Sequence, residues 1–401
     1  MRKKIYDIAI LGAGVSGAFA LYKLSKYKDL KTCIIDFGRP PGKRRKQLQG
    51  WFGCFPYSNA RLYFDDYKNV SKKTGIRAAS KANRFVQSIM EEHGPIESFK
   101  KREPSKEILN NIDRLGYHYL LNNFCQWKPE NIHSLSRRIA LDSENKNINF
   151  SFDNNIDDID IKNNLFYIST EKGLIISKKI IFAIGRSGWR FARDIYEKFK
   201  IIKNDNVSFF GFRGEVSCGM MSNWNHSHCT IYNDNLNIGP MSWNGTVIPE
   251  DHYDLAISSW RSNEDRWKSD KVSFSVISKK IFNDKGIEQT ERLGKLAFIL
   301  SDNRIGRMRI KDYFNQDFDI SYIPEYDWFK DTMKDIEDVI PGFLKKGYFY
   351  IPEIKTTIPN IKINNKLSTE IENFYVAGES AGIDGILGAA ISGCIAADNS
   401  I

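Results

Sequence analysis

Ile5-Tyr6-Asp7-Ile8-Ala9-Ile10-Leu11-Gly12-Ala13-Gly14-Val15-Ser16-Gly17 runs from an apolar, largely β-branched segment straight into a glycine triplet. An apolar run of this kind is expected of a strand buried on both faces of a parallel sheet. Ala18, Ala20, Leu21 and Leu24 follow at helical spacing, and Lys31 to Asp36 reads as a second strand ending in a carboxylate. Strand, triplet, helix, strand and acid, in that order within about 30 residues, make the βαβ unit that binds a dinucleotide. Gly12 permits the tight turn, Gly14 lets the backbone approach a pyrophosphate, and Gly17 lets the helix lie close to the strand. Ser16 belongs to the helix N-terminus, whose free N–H groups and positive dipole end receive the diphosphate. Asp36 is placed to accept hydrogen bonds from ribose hydroxyls. The triplet alone does not say which dinucleotide.

The other end of the chain bears on that choice. Glu372 to Ala377 reads as a short strand, followed by Gly378-Glu379-Ser380-Ala381-Gly382, a loop through Gly385, Ile386, Leu387 and Gly388, and an Ala-rich helix. This arrangement resembles the C-terminal flavin motif of glutathione-reductase-type and hydroxybenzoate-hydroxylase-type flavoproteins. The resemblance implies non-covalent FAD, with Glu379 on the ribityl chain or a nearby phosphate and the helix N-terminus aimed at the flavin pyrimidine. Reduced flavin is negative near N1 and O2, and N–H groups at a helix N-terminus stabilise such charge. The plainer alternative is a Gly/Ala helix packed on the sheet.

Between these ends, Asn147 to Phe152, Leu165 to Thr170, Leu174 to Ile176 and Lys179 to Ala183 read as strands of a β-meander. The Asn/Asp/Ile-rich stretch 154–164 reads as one of its turns. The meander returns at a Gly185-containing turn, before a helix from Trp189 to Lys200. The expected fold class is therefore α/β: a Rossmann-type FAD-binding domain, parallel sheet plus β-meander, with an inserted mixed α+β substrate domain. Residues 1–75, 130–204 and 348–401 are assigned to the first, and 76–129 and 205–347 to the second. Ile76 to His93 reads as an amphipathic helix with Ala79, Ala82, Phe85, Val86 and Ile89 on one face, ended by Gly94-Pro95.

Along most of its length the chain resembles the FAD-dependent dehydrogenases often called NAD(P)/FAD-dependent oxidoreductases. The stretch from Gly50 to Leu62 stands where that family has a Gly-rich segment ending in Ser, a polar residue and a basic-Leu pair. Gly211-Phe212-Arg213-Gly214-Glu215 resembles the strand that opens its substrate domain, Pro352 to Pro359 an acidic-basic-Thr strand, and Gly378 to Gly382 its Gly-Glu-x-Ala-Gly. The resemblance implies that Gly50 to Leu62 runs beside the isoalloxazine, making Ser58, Asn59 and Arg61 the catalytic candidates. Their bland reading is a turn in which Ser and Asn cap a helix. The family's cysteine clusters are missing at Pro40 to Gln49 and at Ile238 to Thr246, so no chemistry or metal resting on them is carried over.

With 401 residues, 41% of them hydrophobic and 27% charged, the chain has globular composition and length for two domains. No apolar run reaches the ~18 residues a spanning helix needs. Six cysteines without a C-x-x-C pair argue against a redox dithiol, a zinc ribbon or a disulfide scaffold, and fit a reducing cytoplasm. His226-Ser227-His228-Cys229 has ligand-type residues but the wrong spacing for zinc, and no metal is expected. His118 is assigned to an amphipathic surface helix. Trp243, Trp260, Trp267 and Tyr253 could line a planar-substrate pocket, although core packing explains them as well. The net charge of +10, densest at Lys43-Arg44-Arg45-Lys46, raises a nucleic-acid-modifying flavoenzyme as a rival reading. A non-catalytic FAD-binding protein is another. The expected function is an FAD-dependent oxidoreductase exchanging a hydride between flavin N5 and a small organic substrate. A second glycine triplet is missing, so electrons would come from NAD(P)H bound transiently or from a redox protein.

Overall fold

The computed structural model describes residues 4–43, 48–144, 147–204, 208–252, 255–262, 264–279, 292, 295, 305–315 and 327–401. The chain divides into two units, one of Met1–Ser98, Phe124–Asn206 and Thr357–Ile401, the other of Phe99–Asn123 and Val207–Thr356. These boundaries differ from those expected. The helix at residues 76–91 belongs with the first unit, and residues 348–356 with the second.

In the first unit the strands are β1 (Ile5–Leu11), β2 (Thr32–Ile35), β3 (Ile148–Ser151), β4 (Ile156–Lys162), β5 (Leu165–Thr170), β6 (Gly173–Phe182) and β7 (Phe374–Val376). The helices are α1 (Val15–Leu24), α2 (Asp66–Thr74), α3 (Ile76–Glu91), α4 (Pro129–Ser143), α5 (Trp189–Lys198) and α6 (Ile386–Ser400). The sheet order is β3-β2-β1-β6-β5-β4, with β7 also on β6. One edge of β6 pairs in parallel with β1, ending at Leu11 opposite Phe182. Its other edge is divided. Gly173 to Ser177 pair antiparallel with β5, whereas Ile180 to Phe182 pair in parallel with β7. Ile8, Ile10, Leu11, Ile34, Ile35, Ile180, Ile181 and Phe182 are at most 1% exposed, as strands covered on both faces require.

Three strand readings need correction. The two short runs at 174–176 and 179–183 are one strand, because the ladder to β1 continues from Ser177 to Lys179. Asn147 to Phe152 is not part of the meander: β3 pairs in parallel with β2. The stretch 154–164 is no simple turn but contains β4. There Ile156 and Ile159 are both buried, three positions apart, because a register shift between Ile156 and Asp158 resets the two-residue alternation. The meander is thus β4-β5-β6.

Helix α3 buries Ala79, Ala82, Val86, Ile89 and Met90 and packs on α6 and α2. Phe85 is half-buried, its ring 6.1 Å from that of Tyr22. Helices α1 and α6 cross closely. A side-chain carbon at Gly393 would come within 2.9 Å of the Ser16 carbonyl carbon and 3.1 Å of its Cα. Among the described residues no helix is long and apolar enough to cross a membrane.

The second unit is built on an antiparallel sheet in the order Gly306–Arg309, Tyr348–Thr356, Ser208–Ser217, Lys271–Ser278, Leu236–Ile238, Cys229–Tyr232, His118–Leu121. His118 therefore lies on a strand, not a helix, paired with Tyr232. Aromatic packing centres on Phe212, whose ring lies 4.8 Å from that of Phe329. The expected Gly-x-Arg-x-Glu strand is present within Ser208–Ser217. Arg213 donates in fork geometry to Glu353 on the neighbouring strand, at 2.6 Å and 3.1 Å, with both side chains 12% exposed. Two stretches that carry the family resemblance are thus joined by one ion pair.

Gly393→Ala is expected to lower the urea unfolding midpoint. Ala improves helix propensity by ~1 kcal/mol, but a clash with rigid backbone costs about 1–3 kcal/mol. Gly219→Ala, where a methyl group meets no atom within 4 Å, is the control and should leave the midpoint unchanged.

Candidate functional site

Strands β1, β2, β6 and β7 run in one direction and end level, at Leu11, Ile35, Phe182 and Val376. The turns that follow them gather at one carboxyl edge, where ligands of open parallel sheets bind. Each turn is tied to its neighbour strand. Gly12 N–H donates to the Ile35 carbonyl at 2.8 Å, Ala183 N–H to Leu11 at 2.8 Å, and Ala377 N–H to Phe182 at 3.0 Å.

Gly12 has φ +98°, and any side-chain carbon there would lie 2.6 Å from the Ala183 carbonyl oxygen. Only glycine fits between these two turns. Gly14 precedes α1 in extended conformation and gives it no side-chain cap. A side-chain carbon on Gly14 would find its nearest atom, Gly53 Cα, at 4.0 Å, and one on Gly185 would meet nothing within that distance. Both glycines border open space, and the α1 N–H groups are available to a diphosphate. These observations fit a dinucleotide.

A second loop, the beginning of the Gly50 to Leu62 stretch, lies against the glycine turn. Phe52 N–H donates to the Ala13 carbonyl at 2.7 Å, laying Gly53 against Gly14. Asp36 fixes both loops. Its buried carboxylate accepts from Ala13 N–H (2.7 Å), Gly38 N–H (2.7 Å) and Gly50 N–H (3.1 Å). Asp36 is first a brace between loops, and a ribose hydroxyl would be an additional partner. The spacing of Gly38, Gly50 and Gly53 was the available signal.

On β7's side, Gly378 N–H donates to Ser392 Oγ at 2.9 Å, and a side-chain carbon on Gly378 would be 2.8 Å from Ser16 Oγ. The N-terminal and C-terminal motifs therefore meet at Ser16 and Gly378. Ser380 Oγ donates to the Ile184 carbonyl at 2.6 Å, and Tyr196 to Ser380 O at 3.2 Å. Glu379 is engaged by Arg186, whose Nη2 donates to Oε1 at 2.8 Å and Nε to Oε2 at 3.4 Å. Arg186 stands between Gly185 and Ser187 in the expected turn, yet its pairing with an acid 193 positions away leaves no local trace in sequence.

Gly385 and Leu387 lie where α6 begins, and there a residue outside every sequence motif appears. The Asp66 carboxyl group, 9% exposed, lies against the start of α6. It stands where a Gly385 side chain would be. Burial first, and the neighbouring Asp384 second, push this carboxyl up to about 7. Ile386, the first residue of α6, is half-buried.

The proposed catalytic trio is spread over several roles. Ser58 Oγ donates to the Phe55 carbonyl (2.9 Å) and accepts from Ala60 N–H (3.0 Å), an ordinary turn. The Asn59 carbonyl accepts from Gln126 Nε2. Arg61, 9% exposed, donates to Gln126 Oε1 at 3.3 Å and lies over the Phe124 ring at 5.0 Å. In the second unit, His226 lies against Trp243 and His228 against Phe99, with ring centroids 4.5 Å and 4.9 Å apart. No group of three or more possible metal ligands occurs among the described residues. Trp243 and Trp260 are buried in that unit's apolar clusters. Tyr253 and, apart from Lys43, the basic cluster lie outside the described residues.

No family model matches the chain. It is 49% identical, over 47 residues, to the hydrogen cyanide synthase subunit HcnC of Pseudomonas protegens, a match spanning 12% of this chain and 11% of that relative. Similar solved structures include glycine oxidase from Geobacillus kaustophilus (TM-score 0.46, 11% identity, 99% of this chain and 94% of that one). Others are the halogenase PltM (0.47, 12%, 97% and 67%) and L-proline dehydrogenase from P. horikoshii (0.44, 10%, 99% and 92%). At these scores the likenesses assign no residue a role.

Asp66 gives a signed pH dependence. Its folded value of about 7 exceeds the ordinary 3.8, so the unfolded chain ionises first. The stability it contributes is complete below about pH 4 and is lost as pH rises to 7, by at most ~4 kcal/mol. Asp66→Asn removes this loss. Urea midpoints of wild type and Asp66→Asn should therefore diverge from pH 5 to pH 8 in favour of the variant, and a constant difference would contradict the assignment.

Proposed function

We propose that the first unit binds FAD and that the protein is an FAD-dependent oxidoreductase acting on a small organic substrate. One observation carries this reading. Two glycine turns from opposite ends of the chain, Gly12 to Gly17 and Gly378 to Gly385, sit side by side because β1 and β7 flank the same end of β6. Each turn leads into a helix, α1 or α6. A dinucleotide has two ends to hold, and a nicotinamide domain of the plain βαβ kind has no use for the second turn.

In this reading the N–H groups around Gly14 and Ser16 receive the diphosphate. The Arg186–Glu379 pair brings a cation and an acceptor to the ribityl and phosphate region, and the start of α6 faces the pyrimidine edge. The bound cofactor would supply hydride exchange at N5, while the protein supplies position and electrostatics. The substrate is bound as a small molecule and either loses or gains a hydride. Electrons pass to or from NAD(P)H or a redox protein that visits transiently.

The protein should purify with FAD, released intact by acid, and the flavin band should bleach anaerobically with NADH, NADPH or a metabolite. Gly14→Val is the sharper test. The side-chain direction at Gly14 is open at 4.0 Å, so the variant should fold with the melting temperature of the wild-type apoprotein and lose flavin. Stoichiometric FAD in Gly14→Val would remove the glycine turn from the site.

A further inference from the structure

Two hydrogen-bond acceptors cannot face one another without a proton between them. The Asp66 carboxyl group fills the space of a Gly385 side chain at the start of α6, and its buried Oδ2 has no hydrogen-bond partner among the described residues. On the FAD reading, the electron-rich O2 and N1 edge of the pyrimidine comes to the same helix start. An ionised Asp66 would then oppose the cofactor, acceptor against acceptor.

We infer that Asp66 is a proton-holding residue of the cofactor site: it takes one proton from solvent as FAD binds, and its carboxylic O–H then donates to the cofactor's acceptor edge. This inference rests on the FAD reading. The balance is simple: carboxylate and proton give carboxylic acid, with no electron moved and no covalent bond to the cofactor.

The surroundings favour the acid form. The charges acting on Asp66 are those of Asp384 and Asp65, both negative. The neighbouring cations are directed elsewhere. Lys68 pairs with Asp65 at 2.6 Å, Lys73 lies beside Gly382, Lys81 of α3 is 3.5 Å from Asp398, and Arg61 is turned to Gln126. Tyr67 shares a hydrogen bond with Ser80 of α3 at 2.7 Å. Gly385 must remain glycine because the carboxyl fills its side-chain space. A residue so placed sets how strongly FAD is held at each pH and adds a proton to the cofactor's binding equilibrium.

The test is calorimetric titration of apoprotein with FAD from pH 6 to 9, in buffers of different ionisation enthalpy, which counts the protons exchanged. Wild type should take up about one proton at pH 8, and its Kd should weaken by up to about tenfold per pH unit above 7. Asp65→Asn should behave in the same way. Asp66→Asn, whose amide N–H stands in for the acid O–H, should bind FAD with no proton uptake and a flat pH profile. The proton count of wild type is decisive without any variant. FAD bound with no proton exchange, or an unchanged pH profile in Asp66→Asn, overturns this inference alone. Failure of wild type to bind FAD at any pH overturns the FAD reading and this inference with it.

Discussion

Strand β6 is the constraint on which the candidate site depends. Ten residues long, it offers one edge to β1 from Ile176 to Phe182 and a divided edge to β5 and β7, so segments from the two ends of the chain are hydrogen-bonded to one strand. Because both pairings are parallel, their ends are level and their turns emerge together. A break at Ser177 and Lys178, as the sequence first suggested, would separate the residues paired with β5 from those paired with β7. The buried apolar residues Ile180, Ile181 and Phe182 keep that end of the strand in place.

The site at this edge is braced by acids as much as by glycines. Asp36 holds two loops through three backbone N–H groups, Glu379 holds Arg186, and Asp66 closes the start of α6. Asp36 satisfies backbone donors that would otherwise be orphaned after the strand ends. The three differ in what they leave for a ligand. Asp36 is fully embedded in its loops. Glu379 shares an arginine with solvent, with side-chain exposures of 29% for Arg186 and 24% for Glu379. Asp66 has an oxygen in reserve.

The sequence made legible what depends on local order. The βαβ unit with its triplet and the terminal strand–glycine–helix were readable, because burial on both faces imposes an apolar run and a tight turn demands glycine. Long-range partnership was not readable. Asp66 opens an exposed-looking Asp-Asp-Tyr-Lys helix start, and no spacing rule links it to Gly385. The β4 strand was hidden because its register shift breaks the alternation by which strands are recognised. Ser58, Asn59 and Arg61 drew attention through the resemblance, and the pairing of Arg61 with Gln126 across a two-strand ladder left no local trace.

The central claim is that the two turns flanking β6 hold opposite ends of one dinucleotide. Hydrogen–deuterium exchange of the apoprotein with FAD, and separately with ADP, tests it most directly. Full FAD should protect the amides of residues 12–17 and of residues 378–388, whereas ADP, lacking the flavin, should protect the first set and leave 385–388 unchanged. Protection of only one turn by saturating FAD would contradict the account.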